Sequence, residues 1–93
     1  MDAIKNLPKV ENMQSNNGND IPNQFIIITN DATIFQSYSS VIAVKTNDKI
    51  YLDENKWDYS KATGKYRNQF LRMDKKQTLQ AIESGKIILA DLN

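Results

Sequence analysis

Cysteine and histidine are both missing from the 93 residues. Without thiols there are no disulfides, thiolate nucleophiles or thiolate metal ligands, which fits a reducing cytoplasm. Without imidazole, the commonest general base and the commonest transition-metal ligand are gone. Ser-His and Cys-His catalysis and zinc sites of the His/Cys kind are therefore excluded. Glycine is scarce: Gly18, Gly64 and Gly85 stand far apart, so no Gly-rich loop exists to cradle a phosphate. No apolar run approaches the roughly 20 residues that span a bilayer. The opening Met1-Asp2-Ala3-Ile4-Lys5 lacks the basic-then-apolar order of a signal peptide. A dominant charge is missing too. Twelve Lys and Arg face 11 Asp and Glu, a net charge of +1. That is neither the overall basic footprint of a nucleic-acid binder nor the acidity of a DNA mimic.

What remains is a chain with 40% hydrophobic residues, enough for one small core. A domain of this size buries about 60–65% of its unfolded surface and is marginally stable, so partner binding or self-association would add stability. Residues 1–24 read as a flexible arm. Ile4, Leu7 and Val10 are spaced like a helical turn that Pro8 interrupts, and Asn12, Asn16, Asn17, Gly18, Asn19, Pro22 and Asn23 form a polar spacer. Residues 25–93 read as a single α+β domain. Phe25-Ile26-Ile27-Ile28-Thr29 is a β-branched strand run followed by an Asn30-Asp31 turn. Ile34-Phe35 and Val41-Ile42-Ala43-Val44 are strands separated by a turn or bulge at Tyr38-Ser39-Ser40. Thr46-Asn47-Asp48-Lys49 is a hairpin turn leading into Ile50-Tyr51-Leu52. From Tyr59 the period changes to that of a helix, with Ala62, Tyr66 and Phe70 on one face. Asp74 is a good N-cap for a second helix with Leu79 and Ile82 on one face, Gly85 closes it, and Ile87-Ile88-Leu89-Ala90 is a last strand. The expected order is β-β-β-β-α-α-β, a mainly antiparallel sheet with two helices on one face.

Charge is concentrated in one segment. Residues 56–76 hold seven positive side chains against Asp58 and Asp74, while the rest of the chain is net negative. Trp57, Tyr59, Tyr66 and Phe70 lie among the positives. Basic groups neutralise phosphates and aromatic faces stack on bases, so the mixture suits a contact surface. Equally, Trp57, Tyr66 and Phe70 have the spacing of core residues with lysines on the wet side of a helix. The contact candidates are Tyr59, Lys61, Lys65, Arg67, Arg72, Lys75 and Lys76.

The stretch Tyr38-Ser39-Ser40-Val41-Ile42-Ala43, Ile50-Tyr51-Leu52-Asp53, the block from Trp57-Asp58-Tyr59-Ser60 through Lys65-Tyr66-Arg67-Asn68-Gln69-Phe70-Leu71, and the ending from Ile82 to Asn93 together resemble a short domain. That domain is found in proteins of phages and plasmids of Gram-positive bacteria. The resemblance covers about residues 34–93; where the family usually has Gly-Glu after Phe-Leu, this chain has Arg72-Met73. It implies a mobile-element accessory protein in a bacterial cytoplasm. Small proteins of that kind often block host defences, anti-CRISPR proteins among them. The expected function is non-catalytic: binding and inhibiting a host protein or ribonucleoprotein complex, such as a CRISPR nuclease complex, with no cofactor and no metal. The alternative is a nucleic-acid-binding module built on residues 56–76. A remote third reading is a Mg²⁺-dependent nuclease, because Asp48, Asp53, Glu54 and Asp58 cluster and Glu54-Asn55-Lys56 has Glu-x-Lys spacing. That motif is short enough to recur by chance.

Overall fold

The computed structural model describes residues 7–93. Six strands form one sheet in the order of the chain: β1 (Lys9–Gln14), β2 (Asp20–Ile28), β3 (Thr33–Ser37), β4 (Ser40–Lys45), β5 (Ile50–Asp53) and β6 (Ile87–Ala90). The first five make an antiparallel meander, and β6 runs parallel to β5. A parallel return needs a long crossover. Here it is supplied by α1 (Lys61–Leu71) and α2 (Lys75–Glu83), which lie on one face of the sheet. The α+β class and the mainly antiparallel sheet agree with the sequence reading.

The expected arm does not. Within residues 1–24, Lys9–Gln14 and the start of β2 are paired strands, which adds an edge hairpin to the sheet. The first six residues lie outside the described part of the chain. Asn-rich composition hid the hairpin because backbone pairing and polar side chains, not an apolar stripe, hold it. Asn12 donates to the Ile21 carbonyl, Gln14 donates to Asp20, and a turn at Ser15–Asn19 places Gly18 at φ +81°. Pro22 falls where the β1–β2 register shifts, so its missing N–H interrupts no regular ladder.

Residues opposite one another across the ladders share a face. Ile26, Phe35, Ala43 and Leu52 form a row under the helices. Phe35, Ala43 and Leu52 are fully buried there, with Ile42, Phe70, Leu71, Ala81 and Ile87 completing the core. One position along, Val10, Ile27, Ile34, Val44, Tyr51 and Ile88 are in register across all six strands on the opposite face. These side chains are only half-buried or, for Val10, exposed, and none belongs to the core cluster.

Both helices are turned by about one residue from the expected phase. Ala62 is exposed, and the buried stripe of α1 is Thr63, Arg67, Phe70 and Leu71. In α2 the buried residues are Thr78 and Ala81, while Leu79 is exposed. Polar groups hide this phase from a hydrophobic-period reading, because each finds a partner inside. Thr78 donates back to the Asp74 carbonyl, and the Thr63 and Ser37 hydroxyls meet at 3.4 Å. The caps are as the sequence indicates. Asp74 and Gln77 form a capping box on α2, and Gly85 follows that helix at φ +83°. Ser60 caps α1.

Candidate binding site on the helix side

The segment 56–76 divides into an inside and an outside. Trp57, Tyr66 and Phe70 pack on or in the core, and the Phe70 ring lies against Phe35 at 5.8 Å. Arg67 goes with them. At 1% exposure it is among the largest fully buried side chains in the protein, so it is no surface contact. Its Nη1 donates to the Trp57 carbonyl (2.7 Å) and to Asp58 (3.0 Å), its Nη2 donates to Asn68 (2.9 Å), and the guanidinium stacks 5.1 Å from the Trp57 ring. A buried cation persists only when so paired. It anchors the loop after β5 to the middle of α1.

The remaining candidates are exposed: Tyr59 at 53%, and Lys61, Lys65, Arg72, Lys75 and Lys76. Three of them come together. Lys61, Lys65 and Lys75 line an open groove with Asp58, Ser60, Gly64 and Asn68, and the buried Arg67 lies along its wall. Lys61 and Lys65 are one helical turn apart. Lys75 reaches back from the start of α2 to Asp58 at 2.7 Å. The Lys75 ammonium first, and Arg67 with it, hold the Asp58 carboxyl below the usual carboxylate range despite partial burial. Lys76 is exposed beside Lys75 on the same first turn. Arg72 lies elsewhere. It takes a left-handed conformation at the end of α1 (φ +57°) and lines a cleft of about 890 Å³ with Lys45, Glu11, Asp20 and Phe70. In that cleft the Lys45 ammonium donates to the Phe70 carbonyl at 2.6 Å, and burial together with the Arg72 charge pushes its pKa down.

Asp58, Ser60, Gly64 and Asn68 are the groove residues that were not among the contact candidates. The available signal was the pairing of an acid just before the Ser60 cap with an arginine two turns into the helix.

The acids of the nuclease reading have separate, structural positions. Asp53 is buried at 1%. Burial alone would raise its pKa, but donors from Leu92, Asn93, Asn55 and Lys56 outweigh burial and hold it low. Asp48 accepts from the Thr46 hydroxyl in the hairpin turn, Glu54 is exposed, and Lys56 donates to Ser40. Among the described residues no three acids gather as a metal site, and no helix is long and apolar enough to cross a membrane.

A family model matches residues 8–88 and describes a family of unknown function, DUF8033. No curated protein and no solved structure matches the chain.

Proposed function

The chain belongs to the DUF8033 family, and from that starting point we propose that it is a non-catalytic binding protein whose lysine groove docks an acidic surface of a partner protein. One observation carries the reading: positive charge is crowded where the fold least favours it. Lys61, Lys75 and Lys76 occupy the first turns of two helices that have no acidic residue in either first turn. A lysine in a first turn stands at the positive end of its helix dipole, an unfavourable placement worth about 0.3–1 kcal/mol per residue. Lys61 and Lys65 repel one another at i, i+4. Asp58 is already engaged by Arg67 and Lys75. An acidic partner relieves this crowding.

A protein partner is favoured over single-stranded nucleic acid because Trp57, Tyr66 and Phe70 are committed to the core. Tyr59 is left as the exposed aromatic of the segment, too little for a run of stacked bases. The finer proposal, that the partner is a host defence factor, is supported by the sequence resemblance to mobile-element proteins.

The test is capture from bacterial host lysate on the immobilised full chain, with and without Lys61→Glu/Lys65→Glu. Both positions are exposed, so the double variant stays folded. The expected result is a discrete protein retained by the wild type and lost by the variant, with affinity falling as salt rises. Retention unaffected by the double reversal would overturn the groove reading. A nuclease-sensitive captured species, or a gel shift at low salt with the purified chain, would move the assignment to nucleic acid.

A further inference from the structure

The helices cover one face of the sheet, and the other face is apolar across its full width. Val10, Ile27, Ile34, Val44, Tyr51 and Ile88 stand in a single row across six strands, flanked by Phe25 on β2. On the helix side the neighbouring positions Phe35, Ala43 and Leu52 have zero exposure. On this side Ile27, Ile34, Val44, Tyr51 and Ile88 retain access to water. The chain end lies at one margin of this face, where Leu92 bonds Asp53 and Asn93 bonds Val41.

We propose that this face is the interface of a homodimer, in which two copies stack sheet on sheet, each with its helices outward. Charge favours a second copy. In a two-fold interface a patch meets itself, so any charge on it meets its like. The paired positions across the middle of this face are Val10, Asn12, Phe25, Ile27, Ile34, Gln36, Val41, Val44, Tyr51, Ile88 and Ala90, all uncharged; beyond the β1–β2 register shift the Gln14–Asp20 pair adds an exposed acid at the rim. Asp53, paired with Ala90 in the same register, is buried and tied to the chain end by the Leu92 N–H. Lys9, Glu11 and Lys45 alternate to the helix side. A centre free of charge, with the one exposed acid at the rim, suits an identical neutral face better than a charged partner.

Area favours it as well. Six strands about 4.8 Å apart and about 17 Å long give a footprint of about 500 Å² per copy. The pair removes about 1,000 Å² even before side-chain relief is counted, which reaches the lower range of specific interfaces. Sheets packed face to face at about 10 Å are a standard way of burying such rows. This surface is separate from the lysine groove, which stays outward in the dimer.

Sedimentation velocity on the full chain from about 5 to 500 μM tests it, since a face of this area predicts dissociation constants in the micromolar range. The expected result is a concentration-dependent shift to twice the chain's mass. Val44→Lys, at the centre of the row, should leave a monomer with the wild-type circular dichroism spectrum. Ile34→Thr, which keeps β-branching and the fold, should weaken the dimer about tenfold. A wild type that stays monomeric throughout overturns the proposal. So does a dimer that Ile34→Thr and Val44→Lys leave unchanged.

Discussion

Replacing Arg67 with methionine should destabilise the protein by about 2–4 kcal/mol. Removing one member of a buried ion pair typically costs about 3–5 kcal/mol, because the other charge is left desolvated. Two features of this site lower that figure. The Asp58 side chain keeps 31% of its exposure and retains Lys75 at 2.7 Å, so it is not stranded. Methionine also refills most of the arginine stem, so little cavity opens. One feature raises it: the Trp57 carbonyl and the Asn68 side chain both lose their Arg67 donor. Set against a total of about 5–14 kcal/mol for a domain of this length, the loss is large. Trp57, the only tryptophan, stacks on the guanidinium and serves as the optical probe for urea unfolding. A midpoint within error of wild type would refute the account of Arg67 as an anchor. A second variant isolates the cause. Adding Asp58→Asn to Arg67→Met removes the uncompensated charge, so the double variant should lose less than the sum of the singles.

Gly64→Ala should stabilise by about 0.5–1 kcal/mol, read as a raised urea midpoint. Its φ is ordinary, and an added methyl would meet Arg67 and Asp58 at 3.7–3.8 Å, a normal contact. Stability should fall on acidification. Asp53 and Asp58 both have lowered folded pKa values. Their contribution is therefore complete above the unfolded carboxylate value and is lost below about pH 4 as pH falls through the folded values. Asp53→Asn and Asp58→Asn should each flatten that acid limb in thermal melts across pH 2–6; an unchanged limb would contradict the assignment. Lys45→Met should cost about 1 kcal/mol in the same melts, through loss of its bond to the Phe70 carbonyl at the negative end of α1. Truncation at Asp91 should cost more than any surface change. It removes the Leu92 N–H from Asp53 and the Asn93 side chain from both backbone groups of Val41.

Elements with an apolar signature were legible in the sequence, and those held by polar groups were not. The β-branched runs of β2, β4 and β5, the turns at Asn30-Asp31 and Thr46–Lys49, the Asp74 cap and the final strand all lie where the pattern places them. The edge strand β1 was missed because its Lys-Val-Glu-Asn-Met-Gln sequence has no period-2 stripe. Strand formation there follows the neighbour it pairs with, not its own residues. The helix phase was missed for a related reason. A rule that buries Ala62 and exposes Arg67 is sound on average, and it fails where an arginine finds an aspartate, an asparagine and a carbonyl inside. The same misplacement put Arg67 among the contact residues. The exposure of Lys61, Lys65 and Lys75 was legible; that the three share one groove, with Lys75 on Asp58, required the α1–α2 turn in three dimensions.

The placement of β6 bears on how the chain assembles. Each of the first five strands meets its neighbour across a short reversal, so the meander forms from contacts close in sequence. The β5–β6 ladder must wait until residues 54–86 have wound into α1 and α2 and brought Ile87 beside Ile50. Until that happens the half-built sheet exposes apolar side chains on both sides at once. The interval before the final seam closes is thus when a nascent copy is most prone to stick to its neighbours, and speeding the crossover would shorten it.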